Sequence, residues 1–176
     1  MTQFQRKLSN LKSQSRYRSL ALPDGIDLTS NDYLGMVDHP ALRAFAIEAL
    51  EDGLDIGAAG SRLLRGHTDA HERLEVFAAN HFKAGKTLYF SSGLQANYAI
   101  LTGLPNRKDV VLYDSLVHAS VRDGLAASQA KSFKFPHNDL SALEGLLKRH
   151  CDKAQTLWIA VESVYSMDGD SAPLSD

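Results

Sequence analysis

The chain has 176 residues, 44% of them hydrophobic, and a net charge of −2, the size and composition of one globular domain with an ordinary core. That charge gives no basic field for nucleic acid or an anionic membrane surface, no run approaches the roughly 18 apolar residues of a membrane helix, and the first residues lack the apolar core of a secretory signal. Cys151 is the only cysteine, so no intrachain disulfide is expected and a soluble cytoplasmic protein is the default.

Phe4, Leu8 and Leu11 recur at helical spacing, which predicts a short amphipathic helix ending near Arg16–Leu20, before a turn at Pro23-Asp24-Gly25. Arg16 and Arg18 are there either as solvated helix-end charges or as ligand contacts. Ile26-Asp27-Leu28 alternates like an edge strand and runs into Ser30-Asn31-Asp32-Tyr33-Leu34-Gly35, a polar turn that either caps the next helix or touches a ligand. A helix should begin at Pro40, point Leu42, Phe45, Ala46 and Leu50 inward and stop at Gly53. The small-residue loop Gly57–Gly66 allows close backbone approach, but it is neither a P-loop nor a dinucleotide fingerprint. His67 and His71 have the i, i+4 spacing of a metal pair, yet Thr68 stands where a zincin carries glutamate, so no metal is expected. Thr68 or Asp69 reads better as the N-cap of a helix over Ala70 to about Lys83, with Leu74, Phe77 and Ala78 inward.

From Lys86 short strands and helices alternate. Strands are expected at Thr87–Phe90, Val110–Tyr113, Ser132–Phe135 and Thr156–Val161. Helices should open at Ser91-Ser92-Gly93, after His118-Ala119-Ser120, and at Asp139, the last burying Leu140, Leu143 and Leu147. This rhythm implies an α/β fold, a mostly parallel sheet with helices on both faces.

In such a sheet ligands bind beyond the carboxyl ends of the strands. At Ser91-Ser92-Gly93 a strand passes into a helix, so free N–H groups and the helix dipole favour an anion such as phosphate; an ordinary serine cap is the plainer alternative. His118, beyond another strand end, is either a satisfied structural histidine or a ring that stacks on a planar ligand. Glu162-Ser163-Val164-Tyr165-Ser166-Met167-Asp168-Gly169-Asp170 gathers hydroxyls and carboxylates beyond the last strand, as a mere turn or as the centre of the chemistry. Together these features suggest a phosphorylated aromatic cofactor.

Six motifs in order, Ser30–Gly35, Gly60-Ser61-Arg62-Leu63-Leu64-x-Gly66 with His71 and Leu74-Glu75, Ser92-Gly93-x-x-Ala96-Asn97, His118-Ala119-Ser120, His137-Asn138-Asp139 and Glu162–Asp170, resemble those of the α-oxoamine synthases. These enzymes have the aspartate-aminotransferase fold type and use pyridoxal 5'-phosphate to condense an amino acid with an acyl thioester, releasing carbon dioxide. The Ser-Arg-Leu-Leu-x-Gly form most resembles the biotin-pathway branch, which joins L-alanine to a pimeloyl thioester carried by coenzyme A or a carrier protein. The 5-aminolevulinate synthases and glycine C-acetyltransferases are the alternatives. The resemblance implies that the Gly93 and Leu94 backbone holds the cofactor phosphate and that His118 stacks on the ring beside the substrate. It also implies that Ser166 hydrogen-bonds the cofactor, that Glu162 lies near the ring, and that Arg18 and Asn31 contact substrate, with Arg16 as the rival to Arg18.

By the same resemblance, residues 1–39 form an N-terminal arm and substrate-contact segment. Residues 40–176 form the first part of the large cofactor domain of a protein that is a homodimer when complete. The family's aspartate for the ring nitrogen and its Schiff-base lysine lie further along than Asp176, and no lysine here is read in the Ser/Thr-x-x-Lys setting. Two expectations follow: the amino-terminal part of a synthase, inactive alone, or a non-catalytic module that binds a partner.

Overall fold

The sequence begins its first regular element with its own cap. Thr2 Oγ1 accepts from the Gln5 N–H at 3.2 Å, and Gln5 Oε1 accepts from the Thr2 N–H at 2.7 Å, a reciprocal capping box that starts α1, Gln3–Ser13. The structure, a computed structural model, describes residues 2–22 and 24–175 and divides into two units, Met1–His67 and Thr68–Asp176. Pro23, the head of the expected turn, lies outside the described residues.

In the first unit the expected strand at 26–28 does not form. The Asp27 carboxylate accepts from the Thr29 N–H at 2.7 Å and from its hydroxyl at 2.8 Å. The first of these bonds holds the carboxyl below the usual carboxylate range, and the chain turns instead of extending alongside a neighbour. Asp32 caps the polar turn that follows, accepting from the Met36 and Val37 N–H groups at 2.7 and 3.0 Å. Helix α2, Pro40–Glu51, starts on its proline. Its supposed inward residues Leu42, Phe45, Ala46 and Leu50 are nonetheless exposed. Periodicity marks an apolar face but supplies no partner, and among the described residues of this unit only Gly66 is buried. A Cβ on Gly66 would lie 1.9 Å from the Gly60 carbonyl oxygen, so the close approach read from the small residues is real and needs glycine.

The second unit opens with α3, Asp69–His81, capped at Thr68; His71 Nδ1 reaches back to accept from the Thr68 N–H at 3.3 Å. Leu74 and Phe77 are exposed and Ala78 is half-buried, so most of the apolar stripe has no core beneath it. The segment 87–90 is not a strand: it joins no ladder, and α3 holds it from the side. The Thr87 hydroxyl donates to the Glu75 carbonyl at 2.7 Å and the Tyr89 N–H donates to the Glu75 carboxylate at 2.7 Å. Then come α4 Gly93–Gly103, β1 Val110–Asp114, α5 Ala119–Ala127, β2 Lys131–Phe135, α6 Leu140–His150 and β3 Leu157–Ala160.

The three strands form one parallel sheet in the order β2-β1-β3, with Leu112 opposite Phe133 on one side and Ile159 on the other. Alternation along β1 divides the core. Val111 packs with Leu101 of α4, Leu125 of α5 and Ala130, while Val110 and Leu112 meet Phe135 together with Leu143 and Leu147 of α6. The expected parallel sheet with helices on both faces is therefore present; Leu140, expected inside, is exposed. Leu112 is fully buried at the centre of this sheet, so Leu112→Ala should cost about 3 kcal/mol through lost contacts and a cavity. Urea unfolding measures it, and a cost under about 1 kcal/mol would mean this layer is not the core.

Candidate active site

At the carboxyl end of β1 stands Asp114, 0% exposed, the last residue of an otherwise apolar strand. Burial by itself would push its carboxyl up. Four hydrogen bonds overcome that: the Leu116 and Asn138 N–H groups each donate at 2.8 Å, and His137 Nδ1–H reaches the two oxygens at 3.0 and 3.1 Å. The carboxyl is accordingly held below its ordinary 3.8. The other nitrogen of His137 donates to Asp170 at 2.8 Å. With a carboxylate at each nitrogen both must carry hydrogen, and the bond to Asp114 first and to Asp170 second raises the imidazole above its ordinary 6.5. Asp168 and Asp170 lie near the ring in a metal-like grouping with His137, but a ring that donates from both nitrogens has no lone pair for a metal.

This bracket holds the serine-carboxylate loop. Asn138 Nδ2 donates to Asp170 at 2.9 Å and to the Ser171 carbonyl at 3.2 Å. The loop closes on itself through Tyr165 N–H to Asp170 O and Gly169 N–H to Tyr165 O, both 2.8 Å. Gly169 takes φ +74° in that turn, a left-handed conformation suited to glycine. Tyr165, 1% exposed, sets its ring edge-on to His137 with centroids 4.5 Å apart, and burial pushes its hydroxyl up to about 12.

Further along the same connection after β1, the His118 N–H donates to the Glu162 carboxylate, tying the start of α5 to the loop after β3. His118 Nδ1 accepts from the Ser120 N–H at 3.2 Å. Ser92 caps α4, its hydroxyl accepting from the Gln95 N–H at 3.2 Å, and the Gly93 and Leu94 N–H groups, first in the helix, have no intrahelical acceptor.

Of the residues singled out in the sequence, His118, Glu162 and Ser166 thus stand beyond strand ends, with His118 and Ser166 exposed, while Gly93 and Leu94 open α4 after the unpaired segment 87–90. Glu162 is half-buried and spent on the His118 backbone. Arg16, Arg18 and Asn31 belong to the first unit, where all three are exposed. Asp114, His137, Tyr165 and Asp170 were given no role from the sequence; an aspartate closing an apolar strand and a histidine just past the next strand were the available signals. The bare Ser-x-x-Lys spacing, not expected here, does occur at Ser9–Lys12 and Ser128–Lys131. Lys12 lies in α1 over the Tyr17 ring, and Lys131 opens β2 at the sheet's amino end, away from the site.

A parallel sheet whose carboxyl ends carry an exposed imidazole and a pinned serine-carboxylate loop, with a helix-start N–H pair on α4, which is bonded to α5 through Asn97 and Ser120, defines a cofactor-binding α/β domain. The chain belongs to the aminotransferase class I and II family, whose sequence profile matches residues 23–176. It is similar to the 8-amino-7-oxononanoate synthase of Chromobacterium violaceum, 47% identical over 152 residues that cover 85% of this chain and 38% of that protein. The enzyme of the same name from Geobacter sulfurreducens is 40% identical over 181 residues, 96% of this chain and 46% of the relative. Among solved structures, Sphingomonas wittichii serine palmitoyltransferase superposes with a TM-score of 0.75 at 34% identity, over 81% of this chain and 35% of that one. Francisella tularensis 8-amino-7-oxononanoate synthase gives 0.65 at 30% identity, over 85% and 40%. The chain spans under half the length of the curated relatives it matches, from 38% to 48%. The resemblance to α-oxoamine synthases is borne out, and the fold is part of the pyridoxal-phosphate fold type I.

The cofactor of this family is pyridoxal 5'-phosphate, and a serine palmitoyltransferase from S. paucimobilis was solved with PLP bound. The donor set here fits it: two helix-start N–H groups suit a phosphate and the uncovered His118 ring suits a planar partner.

The His137 bracket has a pH signature. An imidazole raised by folding contributes stability fully below 6.5 and loses it as pH climbs through the raised value. The Asp114 carboxyl contributes above 3.8 and loses it as pH falls through its lowered value. The bracket is therefore strongest between those limits, and His137→Gln should cost most at about pH 5 and progressively less towards about pH 9. Unfolding midpoints of the two proteins across that range test it; an equal gap at both ends would refute the charged bracket.

Proposed function

We propose that these residues are the amino-terminal part of an 8-amino-7-oxononanoate synthase, a cytoplasmic homodimer that condenses L-alanine with a pimeloyl thioester, on coenzyme A or a carrier protein, and releases carbon dioxide. The observation that carries this reading is the 47% identity to a relative of that name, combined with the placement of His118, Glu162 and Ser166 past the carboxyl ends of one parallel sheet. Residues 1–39 act as an arm and substrate-contact segment and 40–176 as the first part of the cofactor domain, while the Schiff-base lysine and the partner of the ring nitrogen belong to the remainder of the protein.

Pyridoxal 5'-phosphate, when bound, supplies an electron sink for loss of the amino-acid carboxyl. In this chain the Gly93 and Leu94 N–H groups hold its phosphate. His118 lies against the ring and beside the substrate, with Glu162 fixing the backbone from which that imidazole projects. Ser166 hydrogen-bonds the cofactor from the pinned loop. Arg18 pairs with a substrate carboxylate and Asn31 hydrogen-bonds substrate; Arg16 is the competing choice for Arg18.

A second reading has its own support: serine palmitoyltransferases superpose better than the Francisella synthase, with TM-scores of 0.75 against 0.65, which makes serine and a palmitoyl thioester the competing substrate pair. The protein expressed from its complete coding sequence and loaded with cofactor should release carbon dioxide from L-alanine and pimeloyl-CoA. His118→Ala should lower kcat/KM by about 100-fold. Turnover of serine with palmitoyl-CoA in preference to alanine would replace the first reading with the second, and turnover of neither would leave a non-catalytic binding module.

A further inference from the structure

His118 is exposed, yet one edge of its ring is held. A backbone N–H can only donate, so the Ser120 N–H at 3.2 Å makes Nδ1 an acceptor and leaves the ring hydrogen on Nε2. The Ser120 hydroxyl lies 2.7 Å from the same nitrogen. Its direction is set in turn: Asn97 Nδ2–H donates to Ser120 Oγ at 2.8 Å, which leaves the hydroxyl hydrogen to point at Nδ1.

The chain of donors therefore runs one way, from Asn97 in α4 through Ser120 to His118 in front of α5. Ser120 is 1% exposed, so water does not compete for its hydroxyl. The two helices come close enough for this because of Gly124, where a Cβ would meet Leu101 Cδ1 at 3.0 Å and the Asn97 carbonyl oxygen at 3.2 Å. Among the described residues Nε2 of His118 has no hydrogen-bond partner.

We propose that Asn97 and Ser120 are positioning residues that fix His118 as its Nε2–H tautomer, presenting a donor and an open ring face to the site. The benefit to catalysis rests on the function proposed above; the tautomer does not. A ring fixed this way offers a preset hydrogen to an acyl or carboxylate oxygen and needs no reorganisation when substrate arrives.

The test is long-range proton–nitrogen NMR of the holoenzyme labelled with ¹⁵N-histidine, with His118 assigned by its loss in His118→Gln. Wild type should show hydrogen on Nε2 and a bare Nδ1, and Ser120→Thr, which keeps the hydroxyl, should match it. Ser120→Ala removes the hydroxyl, and Asn97→Asp, which can only accept, should draw the hydroxyl hydrogen away. Both should give mixed tautomers and about a tenfold fall in kcat with little change in the KM for alanine. Hydrogen on Nδ1 in the wild type, unchanged tautomers in Ser120→Ala and Asn97→Asp, or mixed tautomers with undiminished kcat would each overturn the proposal. Failure to take up the cofactor or to use alanine, with the expected tautomers, would count against the proposed function alone.

Discussion

A carboxylate with no exposed surface at the end of the central strand is the constraint on which the site depends. An ion such as Asp114 is strongly disfavoured away from water unless its oxygens are satisfied. Two separate segments satisfy them, the chain after β1 through the Leu116 N–H and the chain after β2 through the Asn138 N–H and His137, and the His137 ring carries the link on to a third, at Asp170 after β3. The loops at three strand ends are thereby held as one assembly. That assembly is polar where the sheet below it is apolar, with Leu112 and Val111 fully buried beneath it.

Among the residues proposed to meet cofactor and substrate, Ser166 and His118 are held by this bracket or by contacts beside it. Ser166 lies in the turn closed by Tyr165, Gly169 and Asp170, and His118 is tied through its backbone to Glu162 and through its ring to Ser120. Groups fixed by neighbours in this way act without reorganising, which is where electrostatic catalysis gains most. The exposed positions, Gly93, Leu94, His118 and Ser166, are those left open to a ligand, while Ser120 and Tyr165, which help to place His118 and Ser166, are buried.

Elements with strong local signals were legible in the sequence. β1 and β3 follow apolar runs, β2 follows the alternation of Phe133 and Phe135 with polar residues, and α4 and α6 begin at the serine and aspartate caps expected of them. Segments 26–28 and 87–90 were misread as strands for one reason: an extended segment becomes a strand only beside a partner, and pairing is a non-local property that alternation cannot report. The faces of Leu42, Phe45 and Phe77 were misjudged similarly, since a helical stripe shows what is apolar and not what covers it. In the site, the helix-start serine, His118 and the Glu162–Asp170 loop were visible as motifs. The contact of Asp114 with His137, 23 residues apart, was not, because it follows from the parallel register that sets Asp114 opposite Phe135. Asn97 and Ser120 stood within recognised motifs, but only the packing of α4 on α5 turns them into a chain of donors.

The most direct test of the site is a crystal structure of the protein, expressed from its complete coding sequence, with pyridoxal 5'-phosphate and L-alanine. The expected result is phosphate density on the Gly93 and Leu94 N–H groups, the pyridine ring against His118, and Asp114 still closed by His137 and the Asn138 N–H. A cofactor bound elsewhere on the protein, or one that displaces His137 from Asp114 to enter, would contradict a site built on the buried carboxylate.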